Sequence, residues 1–249
     1  MRWRIAFLLG LLYAQNTLTM GARFHFMRSS FNSPTDKASS LTTLAPTYKS
    51  GITGFLGWGW SSYFSTSLEI TYQGVGQRFY GIGRRGEHYT SEVKQHYLRL
   101  GAALQPQYAA QTWGLWASIA PGVAFLTQSD MDFRGDSLQR GTLITPQVAQ
   151  KVLYYLDQST NPNDRLILLQ MYRRVVPTMS LAGGVRMRLS PSVWVLGLLS
   201  FERSFGDLEK KSFRLRGEES PLYSPERKPV SYELLGIQLG LQYEVSLRP

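Results

Sequence analysis

Apolar residues alternate with small or polar residues in eight separate segments of this 249-residue chain. In the last segment every second residue from Leu235 to Leu247 is apolar, and the residues between them are Gly, Gln, Glu and Ser. Because successive side chains of a β-strand point to opposite sides, this period predicts strands with one apolar and one polar face. The eight predicted strands comprise residues 18–26, 50–61, 64–72, 98–108, 113–125, 180–189, 192–205 and 235–247.

The connections between these segments alternate in length. Three are short (61–63, 109–111 and 190–192), and the other four are long (29–49, 76–93, 128–172 and 206–230). Short turns on one side and long loops on the other are typical of outer-membrane barrels, whose long loops lie outside the cell. The predicted fold class is therefore all-β. We expect an eight-stranded antiparallel transmembrane β-barrel in the bacterial outer membrane, an up-and-down meander with long extracellular loops.

A soluble barrel of the lipocalin kind would show the same alternation, with its large apolar side chains turned inward. Two features favour lipid on the outside. The less apolar faces are rich in Gly, Ala and Ser, which suit the narrow interior of an eight-stranded barrel. Aromatic residues also gather near the short turns, as they do in an interfacial girdle. These residues are Trp58, Trp60, Tyr63, Phe64, Tyr108 and Trp113.

The N-terminus has the parts of a signal peptide. Arg2 and Arg4 precede an apolar run at residues 5–12, and Ala14 offers a cleavage site. The run is too short for a transmembrane helix, which needs about 20 apolar residues. We therefore expect a signal peptide at residues 1–14 and an outer-membrane barrel domain at residues 15–249.

The chain is basic, with 27 Lys and Arg against 17 Asp and Glu and a formal charge of +10. Losing Arg2 and Arg4 with the signal peptide lowers this charge by two, to +8. A basic surface favours anionic partners. Because the chain is exported, we expect outer-membrane lipid and lipopolysaccharide rather than nucleic acid. The sequence contains no cysteine, which excludes disulfides and thiolate chemistry.

Charged residues on the less apolar strand faces are expected to point into the lumen. In a narrow barrel they have to pair, since an unpaired buried charge is costly. We predict a ladder of charges that fills the lumen and leaves no continuous pore. Its members are Arg23, Glu69, Arg99, Arg186, Arg188, Glu202 and Glu244.

The long loops carry most of the surplus positive charge. At the level of the outer leaflet, Arg and Lys side chains would meet the phosphates of lipopolysaccharide. The alternative is a set of solvated loops with no specific partner. The predicted lipopolysaccharide contacts are Arg84, Arg85, Arg173, Arg174, Lys210, Lys211, Arg214 and Arg216.

Patterns that would indicate catalysis or metal binding are weak. His88 and His96, with a nearby glutamate, match no known spacing of metal ligands. His96 with Ser91 and Glu92 is the one local set with the residue types of a hydrolase, and nothing in the sequence fixes its geometry. We therefore predict no catalytic residue, no metal and no cofactor, and we expect that the chain is not an enzyme.

The order of the segments resembles that of the small outer-membrane barrels of the Bacteroidota, the PorT-like or outer membrane protein beta-barrel group. The resemblance spans the mature chain and is carried by Ala14-Gln15 and by residues 96–100, 120–123 and 237–243. That group includes accessory proteins of a secretion system. The resemblance implies an accessory of a secretion or surface-assembly complex. We expect a structural or interaction component of the cell envelope that docks an envelope protein through its long loops or its periplasmic turns. The alternative is a lipid-modifying barrel enzyme or a narrow solute pore.

Overall fold

The computed structural model describes residues 17–34, 42–82, 88–135, 172–208 and 229–247. Most of these residues belong to eight strands. The strands are β1 (Thr17–Asn32), β2 (Thr42–Ser61), β3 (Phe64–Ile82), β4 (His88–Ala109), β5 (Trp113–Gly135), β6 (Val175–Ser190), β7 (Val193–Ser204) and β8 (Ser231–Ser246).

The strands form a closed barrel in which each strand pairs antiparallel with the next and β8 pairs with β1. The closing pair sets Thr17 opposite Ser246 and Asn32 opposite Ser231. The short turns after β2, β4 and β6 lie at the same end as Thr17 and Ser246, which is the periplasmic end in an outer-membrane barrel. The predicted eight-stranded up-and-down meander is confirmed.

Strands β2 to β5 extend further from the periplasmic end than the sequence predicts. They contain 20, 19, 22 and 23 residues, although about 9–11 residues are enough for a tilted strand to cross a bilayer. The predicted loops at 29–49, 76–93 and 128–172 are wrong in their bounds. The reason is that β1 continues to Asn32, β2 begins at Thr42, β3 continues to Ile82, β4 begins at His88 and β5 continues to Gly135. The apolar alternation ends before the strands do, since outward positions such as Arg78 and Glu92 are charged.

The large apolar side chains face outward and most polar ones face the lumen. Leu68 and Leu199 are 67% and 69% exposed, whereas Arg23, Glu69 and Arg99 are 3%, 4% and 1% exposed. Such a continuous apolar exterior requires an apolar solvent around it. Within the described residues, no helix is long and apolar enough to span a bilayer.

Candidate functional site

Four charged side chains from four strands meet in the middle of the lumen. Arg23 Nη2 lies 2.5 Å from Glu69 Oε1. Arg99 lies 3.6 Å from Glu69 (Nη1 to Oε2) and 3.6 Å from Glu202 (Nε to Oε2). Arg23, Glu69, Arg99 and Glu202 therefore form a row of alternating sign, which we call the central charge cluster. Its four side chains are at most 7% exposed, so each charge depends on its neighbours to offset the loss of hydration.

Neutral polar groups bind Glu202 and Arg99 of the central charge cluster. Gln73 Nε2 and the Tyr232 hydroxyl donate to Glu202 Oε1 over 2.5 and 2.8 Å. Arg99 Nε donates to Thr178 Oγ1 over 3.1 Å, and Arg99 Nη2 donates to a backbone carbonyl of β5 over 2.5 Å. These hydrogen bonds engage further N–H donors of Arg99 and further lone pairs of Glu202 beyond those in the ion pairs, because buried polar groups need hydrogen-bond partners. The sequence pattern shows which residues face the lumen but not which of them meet.

Two glycines make room for the guanidinium of Arg99. A Cβ atom at Gly101 would lie 2.9 Å from Arg99 Nη2, and a Cβ atom at Gly122 would lie 3.0 Å from Arg99 Nε. Both positions face the lumen on β4 and β5. The small residues of these strand faces therefore create the space in which a long charged side chain lies flat.

His25 lies in the lumen within a short row of hydroxyl groups. Its Nε2 atom is 2.8 Å from Thr53 Oγ1, which is 2.6 Å from Thr71 Oγ1. The imidazole is buried on the lumen side of β1. This residue completes the polar layer around the central charge cluster.

Apolar side chains cover the central charge cluster on both sides. On the periplasmic side, Arg23 Cζ lies 5.1 Å from the ring centre of Phe55 and 5.3 Å from that of Trp116. Leu196 and Leu198 belong to the same apolar layer. On the extracellular side a larger buried cluster contains Met27, Phe31, Val75, Val93, Tyr97, Ala124, Leu126, Tyr172, Val176, Leu208, Val230, Tyr232 and Leu234. Side chains thus fill the described lumen at three successive levels.

The remaining predicted lumen charges lie at the periplasmic mouth. Arg186 Nη1 is 2.8 Å from Glu244 Oε1, and Arg186 Cζ lies 4.3 Å from the ring centre of Trp194. Arg188 is exposed and donates from Nη2 to the Pro191 carbonyl over 2.6 Å. The seven charges therefore form a cluster of four, a pair and one exposed arginine rather than one ladder. The Phe55 and Trp116 layer separates the two groups.

An apolar band surrounds the barrel between two aromatic girdles. The periplasmic girdle contains the exposed side chains of Trp58, Trp60, Tyr63, Phe64, Tyr108 and Trp113. In the extracellular girdle the ring of Phe26 stacks on Tyr48 with centroids 5.8 Å apart, and Tyr72 stacks on His96 at 5.6 Å. A band of this kind marks the height at which a β-barrel crosses a lipid bilayer. This chain is a bacterial outer-membrane β-barrel.

Comparisons with known proteins find structural but not sequence relatives of this outer-membrane barrel. No family model matches the chain, and no curated protein matches it. Among solved structures it is similar to Ail, the attachment invasion locus protein of Yersinia pestis, with a TM-score of 0.39 and 8% identity over 93% of this chain and 99% of that one. It is similar to Neisserial surface protein A (0.40, 10% identity, 91% and 96% covered) and to OprG from Pseudomonas aeruginosa (0.40, 9% identity, 94% and 97% covered). At such low identity, nothing that those proteins do is transferred to this barrel.

From the extracellular girdle outward, β2 to β5 continue as a four-stranded sheet. We call this part the extracellular wall; it comprises residues 42–49, 74–82, 88–95 and 128–135. Its outer face carries an ion cluster that the sequence pattern does not predict. Lys49 Nζ lies 2.9 Å from Glu92 Oε1, and Arg78 Nη2 lies 2.9 Å from Glu92 Oε2. Lys49 belongs to the predicted loop at 29–49, so the alternation of residues did not predict that its side chain lies on a strand face.

The charges of this outer cluster act on one another. Partial burial opposes ionisation of Glu92, but hydrogen bonds from Lys49 and Arg78 and the charges of Lys49 and Lys94 lower the pKa of its carboxyl group. A side-chain hydrogen bond with Tyr80, followed in effect by the one with Glu92, raises the pKa of the Arg78 guanidinium. Glu92 is therefore ionised at neutral pH and holds two cations in place.

Two of the eight predicted lipopolysaccharide contacts lie within the described residues. Arg173 and Arg174 are exposed just before β6, at the level where that strand leaves the membrane. The other six predicted contacts lie outside the described residues, as does the predicted signal peptide. They are Arg84, Arg85, Lys210, Lys211, Arg214 and Arg216.

The described side chains hold no cluster of three or more metal-ligating residues. His25 is in the lumen and His96 stacks on Tyr72 outside the barrel, so these two imidazoles lie on opposite faces of the sheet. The side chains of His88 and Ser91 lie outside the described part of the structure. Glu92, the acid of the hydrolase-like set with His96 and Ser91, is bound by Lys49 and Arg78.

Proposed function

We propose that this outer-membrane barrel is a non-enzymatic structural and interaction component of the cell envelope, an accessory of a secretion or surface-assembly complex. The finer placement among PorT-like barrels is part of the proposal and is supported by the resemblance of the sequence. The extracellular wall is the observation that carries it. Strands β3, β4 and β5 have about twice the length that crossing a bilayer requires.

The wall supports a docking role because it presents rigid sheet beyond the lipid surface. Apart from register shifts at Pro46–Gly51 and His96–Tyr97, its strands remain paired to their tips, where Phe79 lies opposite Ser91 and Tyr89 lies opposite Gly135. A paired sheet keeps side chains in fixed positions, as a stable interface needs. Outer-membrane lipid and lipopolysaccharide are the further proposed partners, with Arg173 and Arg174 as exposed contacts.

The filled lumen favours this role over the alternative of a narrow solute pore. The central charge cluster and the apolar layers on either side of it occupy the described lumen at three levels. Moving a solute through would require separating buried ion pairs, which is costly. We expect no unitary conductance when the purified barrel is placed in a planar lipid bilayer.

Co-purification with a shortened wall tests the docking proposal. Because Phe79 and Ser91 are paired directly, residues 80–90 can be replaced by a two-residue Asn-Gly turn, which suits a tight hairpin. The tagged wild-type and shortened proteins would be extracted from outer membranes in mild detergent. We expect an envelope protein in stoichiometric amount with the wild type and its loss from the shortened variant.

The shortened variant must still be folded, which heat-modifiable migration on a gel can establish. A partner that binds both forms equally would show that the wall is not the docking surface. A wild-type monomer that carries only lipopolysaccharide would contradict the accessory role. Altered lipid A in cells that overproduce the barrel would instead favour the lipid-modifying enzyme.

A further inference from the structure

The outer face of the extracellular wall carries a basic cluster directly above the membrane surface. We define the wall cluster as Lys49, Arg78 and Lys94, arranged around Glu92. Lys94 lies two residues beyond His96, which belongs to the extracellular girdle, and Lys49 follows Tyr48 of the same girdle. Aromatic girdles lie at the membrane–water interface. The wall cluster therefore lies at the height of lipid headgroups.

A β-bulge and a glycine place Lys49 in this cluster. The register between β2 and β3 shifts between Pro46 and Gly51, which releases this part of β2 from regular pairing. The Lys49 side chain then crosses the face of β3 to reach Glu92 on β4. A Cβ atom at Gly76 would lie 2.7 Å from Lys49 Cε, so a residue with a side chain would obstruct this path.

Glu92 fixes the two cations that it binds, but it does not use all their donors. Both of its oxygens are engaged, one by Lys49 Nζ and one by Arg78 Nη2, each at 2.9 Å. The Arg78 side chain is 43% exposed, and a guanidinium group has five N–H donors in a planar fork. Arg78 can therefore keep its bond to Glu92 and still donate to a second anion.

The acidic residues nearby do not cancel the positive charge. Register sets Lys94 opposite Asp130, Glu92 between Arg78 and Asp132, and Arg134 opposite Thr90. The three cations of the wall cluster thus lie among three acidic positions of the register, and Arg134 adds a fourth basic position. Arg28 on β1, opposite Tyr48, adds a further exposed cation on the same outer face. The result is a local excess of positive charge beside an apolar, lipid-covered surface.

We propose that the wall cluster binds a phosphate group of an outer-leaflet lipid, with the acyl chains lying against the apolar band below. An exposed arginine that is held in place by a carboxylate is suited to bidentate contact with phosphate. The neighbouring girdle residues, Tyr48 and Tyr72, provide an apolar surface next to the charge. The lipid phosphate is the occupant because the cluster lies at the headgroup level and carries the complementary charge.

Binding of lipid A to the detergent-solubilised, folded barrel tests this site. The probes are lipid A carrying both phosphates, the same lipid after dephosphorylation, and inorganic phosphate as a competitor. Arg78→Gln is expected to weaken binding of phosphorylated lipid A about tenfold, the loss of one charge-assisted hydrogen bond. Dephosphorylated lipid A should bind the wild type with about the same reduced affinity that phosphorylated lipid A has for Arg78→Gln.

Arg203→Gln is the matched control. Arg203 is 45% exposed and lies 3.6 Å from Glu233, on β7 and β8 away from the wall cluster. Its replacement should change lipid A affinity less than twofold. Equal losses in the two variants would show that only net charge matters, and unchanged affinity in Arg78→Gln would overturn the site. Displacement by millimolar inorganic phosphate alone would identify a free-phosphate site instead of a lipid site. Because no partner protein takes part in this assay, its outcome is independent of the docking proposal.

Discussion

Removing the charge of Glu69 is the most direct test of how this lumen is held together. Glu69 is the carboxylate between two arginines, 2.5 Å from Arg23 and 3.6 Å from Arg99. Glu69→Gln keeps the shape of the side chain, but it leaves two buried guanidinium groups with Glu202 as the one acid of the central charge cluster. The lumen would then hold an uncompensated positive charge.

Breaking a buried ion pair by removing one partner destabilises a protein by about 3–5 kcal/mol. All four side chains of the cluster are almost fully buried, so screening by water reduces this value little. With a denaturation slope of about 2 kcal/mol per M, the urea midpoint should fall by about 1.5–2.5 M. The measurement is reversible unfolding in lipid vesicles, followed by tryptophan fluorescence and heat-modifiable migration.

Two further variants separate charge balance from simple loss of contact. Arg23→Gln combined with Glu69→Gln restores neutrality, because Arg99 and Glu202 remain as a pair. The double variant should therefore be more stable than Glu69→Gln alone. Arg203→Gln breaks a half-exposed pair with Glu233 at 3.6 Å and should cost less than about 1 kcal/mol. The reasoning is refuted if Glu69→Gln costs no more than Arg203→Gln, or if the losses of the two lumen substitutions simply add.

Three other measurements examine orientation, packing and pH dependence. In single-tryptophan variants, brominated lipids should quench Trp58 and Trp113, which are 36% and 47% exposed, but not Trp116 or Trp194, which are 4% and 3% exposed; the opposite pattern would mean that the barrel is inside out. Gly236→Ala would bring a Cβ atom against the Phe26 carbonyl and within 2.6 Å of Met27 Cα, whereas Gly197→Ala meets nothing within 4 Å. Unfolding should show a loss of about 1–3 kcal/mol for the first and almost none for the second, and equal losses would contradict this packing. In the folded protein the pKa of Glu92 lies below its ordinary value of 4.5. The ion pairs of Glu92 with Lys49 and Arg78, near Lys94 and Asp130, therefore stabilise the wall fully above pH 4.5. This stabilisation is lost as the pH falls through the lowered pKa. The stability difference between wild type and Glu92→Gln should therefore shrink in acid, and a difference that stays constant from neutral to strongly acid pH would exclude this linkage.

Much of the fold follows from the sequence because a β-strand has a side-chain period of two. In β8, alternation from Leu235 to Leu247 identifies the strand and its apolar face, and the size of the lumen residues indicates that lipid is outside. The membrane-spanning segments are thus local properties of the chain, each readable from about ten residues. The same pattern could not give the ends of β3 to β5, since above the membrane both faces are exposed to water or to other parts of the protein and the apolar signal stops.

The sequence by itself determined that the chain is an eight-stranded meander and which charged residues on most strands face the lumen. Only the tertiary structure decided which of those charges meet. Arg23, Glu69, Arg99 and Glu202 come from strands far apart in the chain, and the tilt and register of the closed barrel bring them to one level while Arg186, Glu244 and Arg188 remain near the periplasmic end. The wall cluster has the same cause, because a bulge in β2 and the bare backbone of Gly76 bring Lys49 across a strand to Glu92. Alternation is encoded residue by residue, but register and closure are properties of the whole sheet.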